Sequence, residues 1–320
     1  MNIVIVIVTY NRLEKLKKAL SLYENQTASF NSLIIVDNGS SDGTIEYLKE
    51  WEIKQANYEK HLILLGQNLG GSGGFYEGQK YALSLNPDWI YVSDDDAYPA
   101  NNMIELFINI INETKSQKIA AVCGAVLNPD NSIAYSHRSN YYIKKGYKFT
   151  RIDSSKIDYS KLYFKIDLLS YVATFINANA LREVGLCNPN YFIYFDDTEH
   201  SIRLKQFGDI LCYPSLRVLH DIAVQEATKN KPIVTYWKEY YSIRNEIFTL
   251  KKTHFISAIY LSCRHLYSFF KSFIRSLSDN QEKYYYKLVI TAIINAWLSK
   301  LGKHETYKPG FIIFKDNKIF

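Results

Sequence analysis

The stretch Trp89-Ile90-Tyr91-Val92-Ser93-Asp94-Asp95-Asp96-Ala97 constrains this chain most, because an apolar, β-prone run ends abruptly in three carboxylates. Apolar residues at successive positions are how a parallel strand buried on both faces reads. Carboxylates at the end of such a strand are costly to bury unless something positive compensates them. On an extended backbone, alternation sends Asp94 and Asp96 to one side and Asp95 to the other. Two carboxylates on one side suit a hard divalent cation, and such a cation can carry a phosphate-bearing substrate. The bland alternative is a solvated turn with Asp as a helix N-cap.

The flanking sequence gives the triplet its setting. Ile3 to Val8 is a short β-branched run that stops at Thr9-Tyr10-Asn11-Arg12, and Leu13, Leu16, Ala19, Leu20 and Tyr23 then recur at helical spacing. Ser32 to Val36 is a second strand, ending in the polar turn Asp37-Asn38-Gly39-Ser40-Ser41-Asp42-Gly43 before a helix over Thr44 to Trp51. His61 to Leu65 is a third, followed by Asn68-Leu69-Gly70-Gly71-Ser72-Gly73-Gly74-Phe75 and a helix over Tyr76 to Leu85. Four glycines in five residues permit positive φ and close approach of backbone to a ligand, or else mark a flexible turn. Their spacing matches neither a dinucleotide fingerprint nor a P-loop. Strand, loop and helix in alternation build a mostly parallel sheet flanked by helices, in which ligands bind at the carboxyl ends of the strands.

Further on, Asn101 to Asn112 reads as a helix, Ala120 to Leu127 as a buried strand, and the polar, Tyr-rich residues 128–168 as a β-hairpin or excursion. Tyr171 to Ala180 reads as a strand whose end begins a helix. A second acidic cluster follows, Tyr191-Phe192-Ile193-Tyr194-Phe195-Asp196-Asp197-Thr198-Glu199-His200. Apolar neighbours and a like charge raise a carboxylate pKa, which tunes a general base; N-cap chemistry for the next helix is the alternative. His220 ends another apolar run, and a lone His there is more often structural than a ligand. It gains weight because a cation at the Asp triplet needs further ligands.

Residues 236–320 change character, with apolar, aromatic and basic residues mixed on helical stretches. That mixture suits an interfacial membrane helix, a helical pair packed on the main domain, or a contact with a second copy. The division expected is therefore 1–235 and 236–320. No apolar run approaches the ~18 residues of a transmembrane helix. The N-terminus lacks a basic region and cleavage site. The four cysteines form no C-x-x-C, so zinc and redox motifs are absent and a reduced compartment fits. These features place the chain in the cytoplasm, peripheral on the inner face of the membrane if the C-terminal helices bind lipid. The net charge of +6 favours an anionic partner, but the basic residues are scattered and nucleic acid is not expected.

Taken in order, Val8-Thr9-Tyr10-Asn11-Arg12, Val36-Asp37-Asn38-Gly39-Ser40, Asn68 to Phe75, Asp94-Asp95-Asp96, Phe195-Asp196-Asp197-x-Glu199, His220 and Tyr240-Tyr241-x-x-Arg244-Asn245 resemble the inverting glycosyltransferases of family 2, with their GT-A fold. The Gly-rich segment is most similar to bacterial galactofuranosyl- and rhamnosyltransferases. The resemblance implies that Thr9, Tyr10, Arg12, Asp37, Asn68, Gly71, Gly74, Asp94, Asp95 and Arg244 contact a nucleotide-sugar donor, with Asp37 at the base and Arg12 and Arg244 at the diphosphate. It implies that Asp94, Asp96 and His220 hold Mn²⁺ or Mg²⁺, and that Asp197, beside Asp196, is the catalytic base. Family members usually carry Glu-Asp where this chain has Asp196-Asp197, a change that keeps the charge. The implied donor is UDP-galactofuranose or dTDP-rhamnose, and the implied acceptor a glycan, free or lipid-linked. The other readings are a sugar-nucleotide pyrophosphorylase, which would need a Gly-rich basic loop after the first strand, and a binding module of the same fold without turnover.

Overall fold

A computed structural model describes residues 1–114, 118–222, 236–273 and 280–310. The order is β1 (Ile3–Thr9), α1 (Leu13–Glu24), β2 (Ser32–Asp37), α2 (Thr44–Ile53), β3 (Glu59–Leu64), α3 (Gly70–Ser84), β4 (Trp89–Asp94), β5 (Ala97–Pro99), α4 (Met103–Glu113) and β6 (Ile119–Leu127). The hairpin β7 (Arg138–Lys144) and β8 (Lys148–Asp153) answers the Tyr-rich region, followed by β9 (Phe164–Ile166), β10 (Leu168–Leu169), β11 (Thr174–Asn177), α5 (Ala178–Val184), α6 (Asp196–Phe207) and β12 (Asp209–His220). The C-terminal helices are α7 (Tyr236–Thr253), α8 (Phe255–Phe273) and α9 (Asn280–Trp297). The tail from Lys308 falls mostly outside the described residues.

The main sheet runs β3-β2-β1-β4-β11-β6-β12-β5, with β9 on β12. β1 through β4 pair in parallel, β11 is antiparallel to both its neighbours, and β6 and β12 are parallel again. Alternation along β1 sorts the core. Ile3, Ile5 and Ile7 join Leu16, Leu20 and Tyr23 of α1 and Phe107 of α4 on one face. Val4, Val6 and Val8 join Phe75 and Ala82 of α3 on the other. Every residue of β1 and β2 is buried, as expected of parallel strands covered on both faces.

The register settles what stands beside the carboxylates. Val8 pairs with Asp94 and Thr9 with Asp37, so the ends of β1, β2 and β4 lie level. On the far side, His220 pairs with Ala97, and Asp221 N–H donates to Asp96 O at 2.8 Å.

Residues 1–141, 151–189 and 197–224 form one compact unit; residues 142–150, 190–196 and the C-terminal residues form a second. The second unit thus draws in two short segments from before 235, where the sequence reading had put a single cut. Its core is Tyr240, Tyr241, Ile247 and Phe248 of α7 with Ala258 and Leu261 of α8 and Leu288, Ala292 and Ala296 of α9. Lys251 donates to Ala296 O and Trp297 O at the end of α9, where the helix dipole favours a cation.

The Gly-rich segment is not a loop. α3 begins at Gly70, six residues before the expected start. Gly74 is buried because a Cβ there would stand 2.5 Å from Val8 Cγ1, whereas a Cβ at Gly71 would meet nothing within 4 Å. Helix–strand packing thus accounts for the missing side chain at Gly74. Gly74→Ala should cost about 1–3 kcal/mol through overpacking. Gly71→Ala should leave stability unchanged or raise it by up to about 1 kcal/mol, as glycine gives way to a better helix former. Urea denaturation of the two variants checks both.

Candidate active site

The three carboxylates are compensated in different ways. Asp95 and Asp96 are 2% and 1% exposed. Thr9 Oγ1 donates to Asp95 Oδ2 at 2.7 Å. The Arg12 guanidinium reaches both carboxylates, at 3.2 Å from Asp95 Oδ1 and 2.6 Å from Asp96 Oδ2. Lys15, one turn into α1, stands 3.5 Å from Asp96 Oδ2 and also donates to Asp221 O. His220 Nε2 lies 3.2 Å from Asp96 Oδ1. One oxygen each from Asp94 and Asp96 and one ring nitrogen of His220 all fall within 4.8 Å of one another. Asp95, in the turn that follows β4, points instead to Thr9.

Burial is the largest influence on all three groups. It raises Asp94, helped by the like charge of Asp96. It pushes Asp95 up to about 6, against the pull of Arg12 and Thr9. On Asp96 burial is outweighed: the hydrogen bond to His220 and the charges of Arg12 and Lys15 hold its carboxyl below the usual range. The trio therefore has mixed readiness to lose its protons, and a cation arriving there would compete with a proton on Asp94.

Next to this group, at the end of β2, Asp37 is wholly buried. Its Oδ1 accepts the N–H groups of Gly39 and Ser40 at 3.1 and 3.0 Å. Its Oδ2 is buried without a hydrogen-bond partner among the described residues, a costly state unless a ligand supplies a donor. Asn38, which the sequence reading passed over, fixes the start of α3: its Oδ1 accepts Leu69 N–H and its Nδ2 donates to Gly70 O, both at 2.9 Å. Asn68 Oδ1 accepts Gly70 N–H at 2.8 Å, so its oxygen serves the helix start. Tyr10 is 38% exposed beside this group.

The second acidic pair opens α6. Asp196 is buried and Asp197 half-buried. Thr198 N–H donates to Asp197 Oδ1 at 2.6 Å. Burial pushes the Asp197 carboxyl up, opposed by the charges of Arg151 and Arg138. Ser201 Oγ, one turn into α6, donates to Asp197 O and also accepts Leu169 N–H. That stretch leads into β11, whose Thr174 pairs with Val92, two residues before Asp94. The first turn of α6 is thereby tied to the end of the sheet that carries the Asp triplet. His137 also belongs to this end: its ring lies 5.3 Å from that of His220, and its Nδ1 is 2.7 Å from Ser170 Oγ.

The segment before the pair is strained. Phe192, Tyr194 and Phe195 each have φ of +66°, and a bulky residue there costs of order 1–3 kcal/mol. Arg244 is engaged by protein groups. It is 1% exposed, and its guanidinium donates to Tyr191 O, Gly302 O and Asn245 Oδ1 at 3.0, 2.7 and 2.9 Å. A contact with a diphosphate would require those bonds to break.

The glycosyl transferase family 2 model matches residues 4–184, more than half of the chain, and the protein belongs to that family. A curated relative, the galactofuranosyltransferase GlfT1 of Mycolicibacterium smegmatis, is 29% identical over 210 residues, covering 63% of this chain and 65% of its own length. The chain therefore spans just under two thirds of that relative. The dTDP-rhamnosyl transferase RfbF of Shigella flexneri is 28% identical over 263 residues, covering 79% of this chain and 81% of its own. Among solved structures, GalNAc-T7 with UDP, GalNAc and Mn²⁺ superposes with a TM-score of 0.58 at 15% identity, covering 78% of this chain and 48% of its own. The fold is thus that of the GT-A glycosyltransferases.

Thr9→Val keeps the shape of the side chain and removes the only hydroxyl it offers Asp95. A loss of about 1–3 kcal/mol is expected, the cost of leaving a buried acceptor short of its donor. Chemical denaturation of the full chain measures it.

Proposed function

We propose that the protein is an inverting, divalent-cation-dependent glycosyltransferase that moves galactofuranose from UDP-galactofuranose to a hydroxyl of a bacterial surface glycan, free or lipid-linked. The observation that carries this reading is the convergence of Asp94, Asp96 and His220 at the carboxyl ends of the strands, with Arg12 at their edge. Two carboxylates and an imidazole fit Mn²⁺ or Mg²⁺ as a donor set. When bound, the ion supplies charge to a leaving diphosphate. Arg12, 47% exposed at its side chain, is free to turn from the carboxylates to the phosphates. Asp37 Oδ2 takes an N–H of the base. Asp197 is read as the general base, its burial raising the pKa toward the range where a base works. Attack opposite the diphosphate then inverts the anomeric centre in one displacement, with no enzymic nucleophile.

The second reading is transfer of rhamnose from dTDP-rhamnose. RfbF favours it, since that match extends over more of both chains. A panel of sugar nucleotides with and without Mn²⁺ separates the two. With the active donor, Asp197→Asn should lower transfer about 10²–10⁴-fold, the span usual for loss of a general base. Asp96→Ala should weaken Mn²⁺ binding and transfer together. Full transfer by either variant overturns the role given to it.

The C-terminal helices are read as the membrane contact. Phe255, Ile256, Ile259 and Tyr267 of α8 are 56%, 63%, 43% and 70% exposed, in the same helical region as exposed Lys252 and Arg264. Apolar anchors with neighbouring cations suit an anionic lipid surface. No helix among the described residues is long and apolar enough to cross a membrane. The protein should float with vesicles containing phosphatidylglycerol, and Ile256→Glu with Ile259→Glu should abolish flotation; a parent that stays at the bottom ends this reading.

A further inference from the structure

Asn245 has no part in the reaction as proposed, yet its geometry beside Arg244 is specific. Both are buried in α7, at 0% and 1% exposure. Asn245 Nδ2 stands 3.0 Å from Tyr191 O, 2.9 Å from Ile193 O and 2.9 Å from Tyr194 O. One carboxamide nitrogen thus lies within hydrogen-bond distance of three carbonyls of the aromatic turn. Arg244 Nε donates to Asn245 Oδ1, which leaves the amide nitrogen, and not the oxygen, facing that turn. Arg244 Nη2 adds a second donor to Tyr191 O. The rings of Tyr240 and Tyr241 hold the guanidinium, 5.3 and 4.8 Å from it.

The turn so gripped contains the three left-handed aromatic residues, Phe192, Tyr194 and Phe195. Such residues relax to extended backbone unless their surroundings hold them. Tyr194 and Phe195 lead directly into Asp196, the first residue of α6, and then Asp197. A helix start whose approach is over-determined in this way presents its first carboxylates in one direction.

We propose that Asn245, oriented by Arg244, is a positioning residue: it holds the left-handed turn that aims the Asp196–Asp197 pair. The inference rests on the reading of Asp197 as the base. Its reach is through the chain, so it differs from a contact with the donor.

The full-length protein is compared with Asn245→Ala and Asn245→Asp by peptide-level hydrogen exchange, UDP–Mn²⁺ titration and transfer kinetics. Exchange at residues 190–197 should rise about tenfold or more while residues 1–114 stay as in the parent. Transfer kcat should fall about 30-fold or more, with donor KM and UDP–Mn²⁺ affinity within about twofold of the parent. Unchanged exchange at 190–197 overturns the inference whatever the activity. So does raised exchange with full transfer, and so does nucleotide affinity falling in step with kcat. If neither variant folds, Arg244→Lys, which keeps the charge and removes the Nε donor, is put through the same readings. Exchange is read without donor, so a parent inactive with every sugar nucleotide defeats the proposed activity while exchange still decides this point.

Discussion

Everything at the candidate site depends on putting three adjacent carboxylates at the mouth of a buried sheet without leaving their charge uncompensated. The fold answers with a cation, a hydroxyl and an imidazole brought from three other elements. Arg12 comes from the loop after β1, Thr9 from the end of β1, and His220 from the end of β12. Parallel register makes this workable. Strand ends that lie level place Asp37, Thr9 and the Asp triplet side by side. A one-residue slip of β4 would exchange the sides to which Asp95 and its neighbours point. The covered sheet and the polar rim are thus one design: the apolar runs are long enough to bury both faces and stop where the chemistry begins.

The arrangement also separates duties between adjacent acids. Asp95 is tied to Thr9 and Arg12 and holds the loop, while Asp94 and Asp96 face His220. Burial and the like charge of Asp96 raise the Asp94 carboxyl, while the hydrogen bond to His220 and the charges of Arg12 and Lys15 lower that of Asp96. Replacing any one partner would redistribute charge over all three.

Much of this was legible in the sequence, because strands covered on both faces have a plain signature and their ends are marked by an abrupt change to polar residues. The β1 to β4 repeat and the helical face of Leu16, Ala19, Leu20 and Tyr23 read directly from periodicity. The Gly-rich segment did not. Local propensity disfavours helix at glycine, but close packing on Val8 and the clamp from Asn38 override it, and neither is visible nearby in sequence. Lys15 carried a signal that went unused, three residues after Arg12 on a helix, the spacing at which side chains share a face. Arg244 resembled a ligand-binding arginine by motif. Among its protein partners, the carbonyls of Tyr191 and Gly302 lie more than fifty residues away on either side. No local pattern distinguishes an arginine facing solvent from one sealed between tyrosines.

The lone buried oxygen of Asp37 has a consequence for selectivity. An acceptor in a dry recess admits a heterocycle that offers a proton and repels one that offers a lone pair. At ring position three, uracil and thymine both carry N–H, whereas cytosine does not. With Asp37 at the base, as proposed, this oxygen favours uridine and thymidine carriers over cytidine carriers and treats the first two alike. Discrimination between those two must fall to whatever meets the ribose 2′-hydroxyl and the thymine methyl.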